Sequence, residues 1–502
     1  MQQKTRLILK VIAMMCSSWS GLVVMAQQPP NIIFILADDH RYDAMGFMNK
    51  IAGLQTPGMD RMAREGAHLK NAFVSTALCS PSRASILTGQ YAHTHTVVDN
   101  DAPLPANLVF FPTYLQKKGY QTAFFGKWHM GNTDDQPQPG FDFWLSFRGQ
   151  GQYLSPTFNI NGKVVPQPKG SYITDLLTAQ TLQWLNNRNT EKPFFAYLSH
   201  KGVHAEFQPA KRHQGKYAGV PVNCPPSMYL TATDSSKQYG IPTAPTTKVN
   251  YAGIPRWVRQ QRYSWHGVDF MYNGAIRFDD FYHRYLETLQ SVDESIEQVI
   301  NWVNEQGLAS NTMIVYMGDN GFSFGEHGLI DKRHAYEESM RVPLLIWAPG
   351  MVQPNKVMEQ VIMNVDLAPT FLDLAGIEKP GQMQGFSFAQ QLKTTTGKWQ
   401  REKAFYEYYW ETAFPQTPTT FAIRSDRYKF IYYQGVWDTN ELFDLQEDPY
   451  EMNNLVKDTA FRRIGLALKA ELFNWLEQTN GLQIPLKPTI NYRNDHLYRG
   501  GY

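Results

Sequence analysis

From Asn31 onward, short apolar runs alternate with amphipathic stretches, and that alternation restricts the chain to a mostly parallel sheet covered by helices. Buried strands are expected at 31–37, 121–125, 194–199, 313–317 and 342–347, with helices at 59–65, 83–88, 111–118, 172–187, 278–305 and 367–375. In open sheets of this kind, ligands bind beyond the carboxyl ends of the strands. Polar residues that directly follow an apolar run are therefore the expected site.

The 214–263 region is rich in Pro, Thr, Tyr and Gly without periodicity and reads as a long excursion over the sheet. The alternation ends in a Gly/Pro-rich linker at 376–385. Beyond it, strand-like segments at 403–409, 421–424 and 428–433 and a helix near 459–478 predict a smaller C-terminal α/β subdomain over 376–502. The main domain then covers 27–375.

Composition narrows the function. The chain has 502 residues, 43% hydrophobic and 18% charged, which excludes a disordered or membrane-filling protein. Its 47 Lys and Arg are scattered among 45 acids, with no dense basic stripe for nucleic acid. Lys4 and Arg6 precede an apolar stretch over 7–25 that ends in Val24-Met25-Ala26, the pattern of an export signal over 1–26. A retained anchor is the alternative, weakened by Lys10 and the Ser17, Ser18, Ser20 cluster. The mature chain is expected to lack a membrane span and to be periplasmic or secreted, with the cell surface a further option. Only Cys79 and Cys224 then remain, too few for a disulfide framework.

Cys79-Ser80-Pro81-Ser82-Arg83-Ala84-Ser85-Ile86-Leu87-Thr88-Gly89 resembles the C-x-P-S-R-x-x-x-L-T-G signature of type I sulfatases, matching all seven fixed positions in one run. The resemblance implies an alkaline-phosphatase-like α/β fold, a mixed sheet sandwiched by helices. It also implies that Cys79 is oxidised to formylglycine by a formylglycine-generating or anaerobic sulfatase-maturating enzyme before the chain folds. A hydrated aldehyde suits sulfate ester hydrolysis because one hydroxyl attacks and the second expels sulfate, which serine cannot do. Arg83, four residues on, shares the helical face of Cys79 and is placed to hold the oxidised side chain.

Asp38-Asp39 follows the first strand, and Asp319-Asn320 follows the strand at 313–317. Hard oxygen donors suit Ca²⁺ or Mg²⁺ better than zinc. An isolated pair of this kind is more often a cap or turn. In the order seen here, the resemblance implies Asp38, Asp39, Asp319 and Asn320 as metal ligands, completed by the oxidised Cys79.

Gly126-Lys127-Trp128-His129 looks like the family's G-K-x-H element, which implies sulfate contact for Lys127 and a general-base task for His129. His204, in Ser199-His200-Lys201-Gly202-Val203-His204, matches the histidine that donates a proton to the leaving alcohol, with His200 its nearest rival. Lys332 matches a second sulfate-binding lysine. Asp99, Asn100, His327 and Arg424 are expected substrate contacts, with Trp410, Thr417 and Thr419 closing the pocket. Segments 91–100 and 159–162 resemble N-acetylglucosamine-6-sulfatases, heparan-type endosulfatases and the sulfatases that dismantle algal polysaccharides such as ulvan. A sulfated carbohydrate is the expected substrate. The competing readings are a phosphatase or phosphonate hydrolase on the same fold, and a sugar-binding protein whose Cys79 stays a thiol.

Overall fold

The computed structural model describes residues 29–131, 134–222, 224–229, 253–394, 398–435 and 438–485. The expected export signal and much of the excursion at 214–263 lie outside them.

The strands, in chain order, are β1 Asn31–Ala37, β2 Ala67–Phe73, β3 Gln121–Lys127, β4 Phe143–Phe147, β5 Thr157–Ile160, β6 Lys163–Pro166, β7 Phe194–Ser199 and β8 Thr312–Gly318. They are followed by β9 Ser323–Phe324, β10 Ile330–Asp331, β11 Leu344–Trp347 and β12 Lys356–Met363. Ten of these form one sheet in the order β12-β2-β11-β8-β1-β7-β3-β4-β5-β6, and β9 pairs with β10 in a small ribbon.

At its centre, β8, β1, β7 and β3 run parallel and are buried on both faces, which explains their unbroken apolar runs. The sheet is more mixed than the apolar runs suggested. β11 runs antiparallel to β8 and β2, and β4, β5 and β6 form an antiparallel flank. β2 and β12 were not expected. They carry polar residues on a half-exposed face, so they present no continuous apolar run.

Alternation along β1 divides the core in two. Ile32, Phe34 and Leu36 pack on the face that holds the helices Cys79–Thr88 and Leu367–Leu374. Ile33 and Ile35 pack on the face covered by the helices Pro57–Glu65, Ile173–Asn186 and Phe278–Glu305. The longest helix, Phe278–Glu305, buries Phe281, Tyr285, Leu289, Val292, Ile296, Val299 and Val303, a stripe at three- and four-residue spacing.

The C-terminal strands β13 Ala404–Tyr408, β14 Thr420–Arg424, β15 Tyr428–Tyr433 and β16 Glu441–Asp444 form an antiparallel sheet under the helix Arg462–Gln478. This sheet has no separate core. Tyr406, Ala422, Ile431 and Trp475 join the same cluster as Phe34 and the helix Cys79–Thr88. Among the described residues, no helix is long and apolar enough to cross a membrane.

Register decides where the polar residues gather. Ala37 pairs with Gly318, Leu36 with Ser199, and Ser199 with Gly126, so the four central strands end at one level. The next residues of the chain, including Asp38, Asp319 and His200, therefore emerge along a single edge. Gly126 is needed there, because a Cβ at this φ of +113° would lie 1.8 Å from the Ser199 carbonyl oxygen.

Candidate active site

Cys79 opens the helix Cys79–Thr88, every residue of which is buried. The helix stops at Gly89, whose φ of 66° lets its N–H cap the Ser85 carbonyl. At the other end, Asn100 Oδ1 accepts the Ser80 N–H at 3.1 Å. Asn100 thus adjoins the nucleophile by capping its helix, one of the orphan-donor positions of a first turn.

Carboxylate oxygens of Asp38, Asp39 and Asp319 lie within 4.8 Å of one another. So do Cys79 Sγ, an Asp38 oxygen and a His204 ring nitrogen, which places the expected acid beside the expected nucleophile. Asp39 N–H donates to Asp319 Oδ1 at 3.0 Å, and Asn320 Nδ2 donates to Asp39 Oδ1 at 2.7 Å. Asp39 Oδ2 and Asn320 Oδ1 are buried without a hydrogen-bond partner. Unmatched hard oxygens beside three carboxylates fit an oxygen-seeking divalent cation. Asp39 and His129 adopt φ of 52°, uncommon for residues with a side chain and typical of functional sites.

Cations face the acids. Lys127 pairs with Asp38 and also donates to Gln150 Oε1 at 2.5 Å, while Lys332 pairs with Asp39 and stands 3.3 Å from Cys79 Sγ. Arg83 does not reach Cys79 directly. Its Nε and Nη2 donate to Asp319 Oδ2 at 3.0 and 2.8 Å, and its Nη1 donates to the Lys127 carbonyl and Ser199 Oγ. It therefore ties the nucleophile helix to β3, β7 and β8.

The electrostatics follow from burial and these pairs. Burial opposes ionisation of Asp38, but the positive charges of Lys127, Arg83 and Lys332 outweigh it and hold the carboxylate well below its usual range. Burial pushes Asp39 up to about 7, with Lys332 opposing and Asp38 and Asp319 adding to the rise. Burial and then Asp38 push the Cys79 thiol up to about 12, so it is neutral as encoded. Burial and Lys127 push both His129 and His204 well down, leaving neutral imidazoles.

The two histidines of the β7 loop part company. His200 turns to Ser295 Oγ on the longest helix at 3.0 Å, whereas His204 Nε2 lies 4.0 Å from Asp39 Oδ2. Of the expected substrate contacts, Arg424 already has a protein partner. Its guanidinium is held by Glu337 at 3.2 Å and lies over the Phe73 ring, so it joins the C-terminal sheet to the main body. His327 is likewise packed away, stacked on Tyr336 with ring centroids 3.8 Å apart.

Asp99 is buried near Glu411, which pairs with Arg333 at 2.9 Å. Gln150 and Lys201 were not anticipated. Gln150 stands in a polar segment without a motif of its own, and Lys201 lies inside the quoted 199–204 segment, where the two histidines drew the reading.

The chain matches the family model described as Sulfatase over residues 30–377, and that described as N-sulphoglucosamine sulphohydrolase, C-terminal, over 325–478. It is 33% identical to an N-acetylglucosamine-6-O-sulfatase of Bacteroides thetaiotaomicron, spanning 94% of this chain and 90% of that one. An ulvan-active sulfatase of Formosa agariphila is 25% identical, spanning 93% and 85%. One solved structure, described as a complex with its substrate D-glucosamine-2-N,6-O-disulfate, superposes with a TM-score of 0.77 at 32% identity, covering 91% of this chain and 99% of that one. The chain belongs to the sulfatase family and is a sulfuric ester hydrolase.

Proposed function

We propose that the protein is an exported carbohydrate sulfatase that removes sulfate esters from a glucosamine-containing or related glycan, with Cys79 acting as formylglycine. The observation that carries the substrate class is the likeness, across nearly the whole chain, to a structure holding a disulfated glucosamine. The surroundings of the site support it. Arg333 lies 3.7 Å over the Phe414 ring, His266 stacks on the other partner of that contact at 4.6 Å, and Trp265 and Trp410 stay partly exposed nearby. Aromatic faces beside polar groups are suited to sugar rings.

Formylglycine at position 79 supplies the attacking oxygen and, through its second hydroxyl, the means to release sulfate. Asp38, Asp39, Asp319 and Asn320 would hold a Ca²⁺ or Mg²⁺ ion, which would supply positive charge for the sulfate oxygens and the nucleophile. Lys127 and Lys332 bind the ester and hold it against residue 79. Arg83 fixes Asp319 and the nucleophile helix. His204 gives its proton to the leaving alcohol, and His129 takes the proton released when sulfate departs. Burial and Lys127 keep both neutral, and an arriving anion favours protonation of His204.

Matured enzyme incubated with N-acetylglucosamine-6-sulfate, D-glucosamine-2-N,6-O-disulfate and ulvan oligosaccharides tests this reading. Sulfate release from a glucosamine substrate is expected. Release from ulvan oligosaccharides alone would overturn the glucosamine assignment, and an unmodified Cys79 in active protein, seen by peptide mass spectrometry, would overturn the mechanism.

A further inference from the structure

Each buried cation described above has its carboxylate: Lys127 has Asp38, Lys332 has Asp39, and Arg83 has Asp319. Lys201 has none. The residue is only 5% exposed, its ammonium sits 4.6 Å from the centroid of the Tyr153 ring, and among the described residues no carboxylate or hydrogen-bond acceptor meets it. Asp38 and Asp39 act on it only from a distance, and an ammonium largely withdrawn from water without a paired carboxylate is unfavourable, a cost that an aromatic face compensates only in part.

Its position is informative. The Lys201 carbonyl accepts the His204 N–H at 3.0 Å, and the Gly202 carbonyl accepts the Asp38 N–H at 2.9 Å. Tyr153, beneath the ammonium, donates its hydroxyl to the His204 carbonyl at 2.7 Å. Lys201 therefore belongs to the loop that carries His204 and is stapled to the first metal-site carboxylate. Burial, and then the charge of Lys127, lower its pKa to about 8, so it keeps its proton at pH 7.

We propose that Lys201 is a substrate-binding residue whose ammonium receives an anionic oxygen of the sulfated sugar. The proposal rests on the sulfatase reading of the site and deepens it. The oxygen belongs either to the sulfate being removed or to a second acidic substituent on the same sugar. Both are oxyanions, and both would give the ammonium a directly paired counter-charge.

The test compares matured wild type with Lys201→Gln and Lys201→Arg on N-acetylglucosamine-6-sulfate and D-glucosamine-2-N,6-O-disulfate, with calorimetric binding of inorganic sulfate as a readout free of turnover. A lost charge-assisted hydrogen bond predicts a rise in KM of roughly 10- to 100-fold in Lys201→Gln, partly recovered in Lys201→Arg. Equal losses on both sugars and on inorganic sulfate place the contact at the departing sulfate. A loss confined to the disulfated sugar places it at the second group. Unchanged KM and sulfate affinity in Lys201→Gln, with or without a lower Tm, would overturn the proposal and leave Lys201 a packing partner of Tyr153. If wild type turned over neither sugar yet bound the disulfated one in a Lys201-dependent way, the anion contact would stand and the glucosamine sulfatase reading would fall.

Discussion

Arg83 Nη2 lies 2.8 Å from Asp319 Oδ2, and both groups are closed to solvent. This pair joins the first turns of the nucleophile helix to the end of β8. Replacing Arg83 with Ala would strand a buried carboxylate beside Asp38. Removing one partner of such a pair typically costs about 3–5 kcal/mol, so Arg83→Ala should shift the urea midpoint strongly and abolish activity. Arg83→Lys keeps the charge but cannot fork to Asp319 and Ser199, and an intermediate midpoint is expected.

The acid cluster sets a pH dependence for metal binding. Burial raises both Asp39, to about 7, and Asp319, so the metal-free folded chain retains protons there that an unfolded chain has released. The site's contribution to stability therefore falls as pH rises from about 4 toward 7. A divalent cation displaces those protons, and its stabilising effect should grow over the same interval. Chelation should lower Tm more at pH 7.5 than at pH 5, and Ca²⁺ at a hundred times its Kd should restore about 2.7 kcal/mol. A shift that is equal at the two pH values would count against these ligands.

His93 and Glu407 form a second buried pair, 2.8 Å apart, with the Glu407 carboxylate also accepting the Ala92 N–H at 2.5 Å. Burial opposes charge on both, but each raises or lowers the other toward its charged form: His93 is shifted up and Glu407 down. The stability the pair contributes should be lost as pH rises through the raised His93 value and again as pH falls through the lowered Glu407 value. Glu407→Ala, which leaves a buried imidazolium and two amide donors, should cost about 3–5 kcal/mol. A thermal scan across pH 3–9 would show the difference from wild type shrinking at both ends.

Any chain that escapes maturation should be chemically silent at Cys79. The thiol is fully buried and pushed up to about 12 by burial and Asp38, while only a thiolate reacts with alkylating agents. Iodoacetamide at pH 8 should label the Cys79 peptide only after denaturation. Labelling of the native protein at a rate near that of an exposed thiol would contradict the described packing.

Much of the architecture was legible from sequence, for reasons that can be localised. β1, β7 and β8 are buried on both faces and announce themselves as apolar runs, and the residues after them fall on one edge because parallel register aligns their ends. Asp38, Asp39, Cys79, Lys127, His204, Asp319 and Lys332 were named from their resemblance to family motifs, and the fold brings these residues together. For Arg424 and His327 the local sequence supplies only the residue type. Whether an arginine meets a sugar or a glutamate depends on what the C-terminal sheet packs against, and no local pattern encodes that Glu337 lies across from it. Lys201 and Gln150 escaped notice for the complementary reason, since a lone polar residue gains meaning only from distant neighbours.

The carboxylates and Lys127 grow from the ends of strands whose remaining side chains are the centre of the core, whereas Asp99, Trp265, Trp410 and Phe414 sit on connections between elements. The proposed chemistry and the proposed sugar contacts are thus built on parts of unequal tolerance. A change at the strand ends endangers folding itself, while the surrounding loops can be exchanged at little risk. Grafting the 410–419 connection from a relative is expected to redirect specificity while sulfate release continues, as measured on a panel of sulfated sugars.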